Sequence, residues 1–106
     1  MKIALIRHGE AENTHPDEQR QLSTEGKQDI MSLGTFLKGT GWQFQKVFHS
    51  PLMRTAQTAE ILASALECER DPWTVLRPGA SPEGVASELL TLKPSEAAAL
   101  VFHMPD

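Results

Sequence analysis

Three residues that can handle a phosphate or carboxylate group directly follow a short apolar run. Residues 1–6 are rich in branched side chains, which is typical of a buried β-strand, and Arg7, His8 and Gly9 come next. A histidine there lies at the carboxyl end of a strand, where open α/β sheets bind ligands, and glycine lets the backbone approach a ligand closely. Arg7 offers a planar fork of donors suited to phosphate. We interpret His8 as a candidate nucleophile beside an anion clamp; an ordinary strand-to-loop turn is the alternative.

Two later stretches carry groups of the same kind. Ser50 and Pro51 suit the start of a helix, and Arg54 then falls near its first turn. A cation there opposes the helix macrodipole and is disfavoured unless an anion sits nearby, so Arg54 is a candidate anion ligand. The alternative is an arginine exposed to solvent without a function. The run at about 98–102 reads as a strand that ends in a second histidine, His103, although its alanines also have helix propensity.

Strands and helices alternate along the chain, which predicts an α/β fold with a mostly parallel sheet. The predicted strands are the N-terminal run, 45–49, 71–76 and 98–102. The first predicted helix starts at Ser23 or Thr24 and has an apolar face at Ile30, Leu33, Phe36 and Leu37; the second starts at Ser50 and has an apolar face at Ala59, Leu62 and Leu66. The third starts at Ser81-Pro82-Glu83 and has an apolar face at Val85, Leu89 and Leu92. Right-handed crossovers keep the carboxyl ends of parallel strands on one edge. The sequence therefore predicts that His8, Ser50 and His103 meet at that edge.

Bulk composition limits the classes of protein to consider. The 106 residues fit one domain over 1–106, and a net charge of −4 gives no general attraction to nucleic acid or anionic membrane. No apolar stretch is long enough to cross a bilayer, and Arg7, His8 and Glu10 interrupt the first run too early for a signal peptide. Cys68 is the only cysteine, so no internal disulfide forms. We expect a cytoplasmic protein.

The chain resembles the histidine phosphatase (phosphoglycerate mutase-like) superfamily, and most of all its SixA-type phosphohistidine phosphatases. The resemblance is carried by residues 7–10 (Arg-His-Gly-Glu), 22–26 (Leu-Ser-Thr-Glu-Gly), 50–59 (Ser-Pro-Leu-Met-Arg-Thr-Ala-Gln-Thr-Ala) and His103; the approach 20–23 (Arg-Gln-Leu-Ser), the ending 103–105 (His-Met-Pro) and the short chain are similar to the SixA branch. It implies a three-layer α/β/α sandwich. It also implies further helix and strand beyond Asp106, so that the chain looks truncated at its C-terminus.

The resemblance also implies a chemical role for each matching residue. His8 would accept the phosphoryl group, while Arg7, Arg54 and His103 would hold its oxygens and stabilise the transition state. A neutral His8 is needed for attack, so we expect one ring nitrogen to be held as a donor by a backbone carbonyl. No metal or other cofactor is implied, and His15 and His49 are interpreted as surface or loop residues. Met31, Met53 and Met104 are interpreted as core gap-fillers.

Several readings of the function stay open. The first is a metal-independent phosphatase acting on phosphohistidine in a signalling protein; the others are a small-molecule phosphomonoester phosphatase or mutase, and a truncated, inactive phosphate-binding module. Glu83 is the one candidate general acid, and its place at a helix start has an electrostatic explanation as well. Phe102 stands where relatives have a small residue. The missing elements predict an exposed sheet edge, hence either an oligomer or lowered stability.

Overall fold

The architecture alternates strands and helices along the chain. The computed structural model describes residues 2–14, 16, 19–73, 76, 82–89 and 97–102. The elements are β1 (Lys2–Arg7), α1 (Thr24–Gly39), β2 (Phe44–His49), α2 (Met53–Leu66), β3 (Glu69–Pro72), α3 (Pro82–Leu89) and β4 (Ala97–Phe102). The predicted α/β class is confirmed, and β4 is a strand despite the helix propensity of its alanines.

The four strands form one parallel sheet in the order β1-β4-β2-β3. Arg7 pairs with Phe102, and His49 pairs with Val101 on the other side of β4, so the three strands end level with one another. The backbone N–H of His8 extends the pairing by donating to the Phe102 carbonyl at 3.3 Å. The segments that follow β1 and β2 therefore leave the sheet at one edge, as the alternation of elements predicted.

The two faces of the sheet are covered by different helices. Alternate residues of β4 enter different clusters, Ala97, Ala99 and Val101 on one face and Ala98 and Leu100 on the other. Side chains of α1 and α2 complete the first cluster, and Val85 of α3 packs against the second. The molecule is thus the expected three-layer α/β/α sandwich.

The helix starts differ in how they are capped. Ser23 caps α1, since its hydroxyl accepts the Gly26 N–H at 3.0 Å, as the sequence predicted. The prediction of a Ser50 cap for α2 is wrong: the helix begins at Met53 after Leu52, and no side chain caps it. Ser50 is fully buried and its hydroxyl lies 2.6 Å from the Thr55 hydroxyl, so this pair ties the strand end to the first turn.

Some predictions of burial and boundary are corrected. Phe36 is 69% exposed and Met31 is 59% exposed, so neither belongs to the core, and Met53 is also exposed. The third strand spans 69–72 instead of 71–76, because its pairing with β2 starts where Lys46 meets Glu69. Ile30 and Leu37 are buried as predicted.

Several predicted features lie outside the described residues. These are His15, the cap Ser81, Leu92, the second histidine His103 and Met104. Within the portions of the chain that the structure covers, no helix combines the length and apolar character needed to cross a bilayer.

Candidate active site at the carboxyl edge of the sheet

The His8 side chain is held by the residue that follows it. Its Nδ1 lies 2.7 Å from the carbonyl oxygen of Gly9. A carbonyl oxygen can only accept, so Nδ1 carries the proton and, in the neutral ring, Nε2 carries the lone pair. This is the backbone carbonyl that a histidine nucleophile was expected to need.

Three arginines place positive charge around His8. Burial lowers the pKa of His8, the hydrogen bond to Gly9 opposes that shift, and the guanidinium charges of Arg54, Arg7 and Arg20 lower the pKa further. The imidazole is therefore neutral near pH 7. Because each arginine acts electrostatically on His8, a local cationic cluster exists in a chain whose net charge is −4.

Helix α2 holds the loop after β1 through side chains of its first two turns. The Gly9 N–H donates to the Thr58 hydroxyl at 3.1 Å, and this hydroxyl donates to the Arg54 carbonyl at 2.8 Å. From the adjacent residue, the Gln57 Oε1 accepts the Leu22 N–H at 2.7 Å. Arg54 itself is only 6% exposed, so the solvated alternative is excluded.

Helix α1 approaches the same loop so closely that only glycine fits. A Cβ on Gly9 would lie 2.9 Å from both the Gly26 carbonyl oxygen and Ile30 Cγ1, and a Cβ on Gly26 would overlap the Glu10 backbone. Ser23 adds a second link, because its N–H donates to the Glu10 carbonyl at 2.8 Å. The backbone on both sides of Gly9 is therefore packed between the two helices.

Arg20 is a site residue to which sequence reasoning gave no role. Its Nε donates to the Glu12 carbonyl at 2.8 Å, and the Glu12 N–H donates to the Gln21 carbonyl, so the polar loop folds back on itself. The isolated bridge of Ala11 with Leu22 closes that loop beside the sheet edge. The available signal was topological: a loop that leaves the edge at His8 must return to it before α1.

The other predicted site residues are placed as follows. Arg7 is exposed at the end of β1, and Arg54 is buried near the start of α2. Glu83 is exposed in the first turn of α3, and His103 lies outside the described residues. Across the residues that the structure describes, no three His, Cys, Asp or Glu side chains cluster as metal ligands would.

The interpretation of His49 as a surface or loop residue is wrong, because the structure buries this side chain. It is 2% exposed at the end of β2, and its Nδ1 lies 2.7 Å from the carbonyl of Ser50. Its Nε2 lies 3.2 Å from an Arg70 nitrogen, which can only donate, so His49 is neutral. Burial lowers the pKa of His49, the Ser50 bond opposes this, and the Arg70 charge adds to the lowering.

The fold and this edge define an α/β protein with a histidine and an arginine cluster suited to an anionic group. The sequence profile described as histidine phosphatase superfamily (branch 1) matches residues 3–78. The chain belongs to the histidine phosphatase superfamily. Membership implies phosphatase or mutase chemistry.

Individual relatives support the assignment over the whole chain. An uncharacterised protein of Picosynechococcus sp. is 35% identical over 115 aligned residues, covering 100% of this chain and 68% of the relative. The protein histidine phosphatase SixA complexed with tungstate superposes with a TM-score of 0.91 and 25% identity, covering 99% of this chain and 70% of that one. A phosphoglycerate mutase from Plasmodium falciparum shares the fold, with a TM-score of 0.70 and 23% identity over 95% of this chain and 60% of that one.

Proposed function

We propose that this chain is a metal-independent phosphatase that removes phosphate from phosphohistidine in a signalling protein, with His8 as the nucleophile. The observation that carries the proposal is the state of the His8 ring. Its Nδ1–H is engaged by the Gly9 carbonyl at 2.7 Å, which leaves Nε2 as the nucleophilic nitrogen. The lowered pKa of His8 keeps that nitrogen unprotonated near neutral pH.

The reaction proceeds in two transfers. Nε2 of His8 attacks phosphorus, and the new N–P bond forms as the bond to the leaving group breaks. Arg7 and Arg54 hold the phosphoryl oxygens and stabilise the charge that develops on them. Water then attacks the phosphorus of phospho-His8, inorganic phosphate leaves, and the ring returns to its neutral form. His103 is assigned to the same oxygens on the family resemblance, as a cationic ring that complements the neutral ring of His8.

The leaving group decides between the substrate classes. When its other ring nitrogen is protonated, phosphohistidine releases a neutral imidazole, whose conjugate acid has a pKa near 6.5. This leaving group departs far more readily than an alkoxide, so no strong general acid is needed. Two glutamates bear on the question of a general acid. The Glu10 carboxylate accepts a hydrogen bond from the Ser23 hydroxyl at 3.3 Å, and Glu83 is exposed on α3. Support also comes from the SixA relative, which binds tungstate, an oxyanion with the tetrahedral shape of phosphate.

Release of phosphate from two substrates tests the proposal. A phosphohistidine-containing protein and an aryl phosphate ester are each incubated with the wild type, with and without a chelator. We expect faster release from the phosphohistidine protein, insensitivity to the chelator and loss of both activities in His8→Ala. Preference for the ester would favour the small-molecule phosphatase or mutase with Glu83 as acid. Binding of phosphate without turnover would favour an inactive binding module.

Three further expectations remain our proposals. They are a single domain over 1–106, activity in the cytoplasm on a phosphorylated partner, and self-association or lowered stability. Leu5 on the outer strand β1 is 68% exposed, so the sheet face on which its side chain lies is uncovered at that strand. A clean monomer by light scattering together with a high melting temperature would contradict the third expectation.

A further inference from the structure

The Thr58 hydroxyl occupies a junction between the two parts of the candidate site. Thr58 is fully buried, and its Oγ1 accepts the Gly9 N–H at 3.1 Å and donates to the Arg54 carbonyl at 2.8 Å. One oxygen atom thus joins the backbone beside the candidate nucleophile to the backbone of an arginine that acts on it. Thr58 is 49 positions from Gly9, so this is a tertiary contact.

A helix alone does not require this arrangement. Threonine often donates to the carbonyl four residues earlier, and Thr35 of α1 does so to Met31 at 3.2 Å from an exposed position. The bond from Thr58 to Arg54 is the same local bond. The added feature is the bond from Gly9, which gives a buried N–H its acceptor.

The peptide group that Thr58 holds is adjacent to the one that holds the His8 ring. The Gly9 N–H points to Thr58, and the Gly9 carbonyl accepts from His8 Nδ1. Glycine has no side chain to restrict its backbone angles, so the orientation of this carbonyl depends on outside contacts. These contacts include the close approach of Gly26 and Ile30 to the Gly9 Cα and the hydrogen bond to Thr58.

We propose that Thr58 is a positioning residue that, through Gly9, keeps the proton of His8 on Nδ1 and orients the ring so that Nε2 can attack. The inference rests on the proposed function in taking His8 as the nucleophile. Without the hydroxyl, the Gly9 N–H loses its acceptor in a buried place and its peptide turns to find another. The carbonyl turns with it, and the ring loses the bond that selects its tautomer and orientation.

The pKa of His8 provides a second way to test the positioning role of Thr58. The bond to Gly9 raises the pKa of His8, against burial and against the charges of Arg54 on α2, Arg7 on β1 and Arg20 in the loop. Weakening that bond leaves the three charges in place and therefore lowers the pKa of His8. Since attack needs the neutral ring, the acid limb of the pH–kcat/KM profile should move to lower pH.

The test compares Thr58→Val with Thr58→Ser and with Thr35→Val. Valine keeps the shape and removes the hydroxyl, serine keeps the hydroxyl, and Thr35→Val removes the same helical bond away from Gly9. Each protein is assayed on the phosphohistidine protein over pH, its histidine ring nitrogens are followed by 15N NMR, and its thermal unfolding is recorded. Thr58→Ala replaces the valine variant should that one not fold.

For Thr58→Val we expect kcat to fall roughly tenfold to a hundredfold, because the His8 ring is misplaced for attack. KM should change little, because the arginines that bind the phosphoryl oxygens keep their positions. The acid limb should shift to lower pH and the His8 Nδ1–H signal should be lost. Thr58→Ser and Thr35→Val should match the wild type in all three respects.

A Thr58→Val protein with a wild-type Nδ1–H signal and acid limb would overturn the inference, whatever its melting temperature, and would make Thr58 a purely structural residue. The NMR readout does not need turnover. An inactive wild type would therefore overturn the proposed function while the ring signals still decide the role of Thr58.

Discussion

Two histidines lie at the carboxyl ends of β1 and β2, which flank β4 in the sheet, and both have the same local geometry. In both His8 and His49 the Nδ1 lies 2.7 Å from the carbonyl of the next residue, which fixes the same tautomer. What differs is the surroundings of the two rings. Arg70 lies 3.2 Å from Nε2 of buried His49, whereas half-buried His8 is surrounded by the charges of three arginines, which lower its pKa.

This difference teaches that the exposure of a strand-end histidine and the charges around it, and not its tautomer alone, suit it to chemistry. His49 spends both ring nitrogens on hydrogen bonds within a site that is 2% exposed, so it joins β2 to β3. His8 is half-buried and lies among the positive charges of Arg54, Arg7 and Arg20. We therefore expect substitutions at His49 to affect stability and those at His8 to affect turnover.

The largest expected effect is that of His8→Asn on turnover. Loss of the nucleophile should lower kcat by about a thousandfold or more, since no other group takes over the covalent step. The free energy of unfolding should change by less than about 1 kcal/mol, because the site is half-buried. Phosphate release and urea unfolding measure the two. Retained turnover would remove His8 from its proposed role.

Arg54→Met, with Arg70→Met as its matched control, separates the two arginine environments. Removing the buried Arg54 should cost about a hundredfold in kcat/KM, comparable to the loss of one oxyanion donor. Arg70→Met removes only the donor to His49 and should leave kcat/KM within about threefold, an effect too small for a lost transition-state contact. Equal losses in the two variants would show that the arginines at His8 have no special role.

His49→Asn reverses the pattern expected at His8. It leaves Arg70 without its ring acceptor and opens space beneath β2, so we expect stability to fall by about 1–3 kcal/mol. The kcat of the protein that remains folded should stay near that of the wild type. Urea unfolding with activity measured below the transition provides the comparison. A large loss of kcat without loss of stability would place His49 in the site.

These contrasts also show which parts of the molecule local sequence could predict. Residues 3–6 of β1 and all of β4 are apolar runs, and Ile30 and Leu37 recur at helical spacing, so both kinds of element are visible within a few residues. Arg7 and His8 could be assigned for the same reason, since their meaning follows from the adjacent strand. Ser50 was assigned wrongly as a cap because its bond to Thr55 replaces the one to a helix N–H.

The missed features depend on contacts between distant parts of the chain. Arg70 meets His49 across 21 positions and Thr58 meets Gly9 across 49, and no local pattern marks either pair. Arg20 reaches His8 only after its loop folds back to the sheet edge. Met31 and Phe36 were placed in the core because helical spacing does not say how wide the buried stripe is, and both lie on the exposed side.

The smallest expected effect is the pH dependence of stability. The pKa values of His8 and His49 are both lowered in the folded state, so the unfolded chain binds protons first as pH falls below about 6.5. The stability they provide is complete above that pH and decreases as pH falls toward their folded pKa values. Urea unfolding at pH 7.5 and pH 5.5 should show this decrease, with a smaller slope in His49→Asn. An unchanged slope would contradict the burial of a neutral His49.

The most direct test of the central claim is to trap the phosphoryl group on the protein. The wild type is mixed with a 32P-labelled phosphohistidine protein, quenched in alkali and digested, and the labelled peptide is sequenced. We predict an acid-labile, alkali-stable label on His8 in the wild type and in His49→Asn, and none in His8→Asn. Label on His49 or on any other residue, or phosphate release that persists in His8→Asn, would contradict the account.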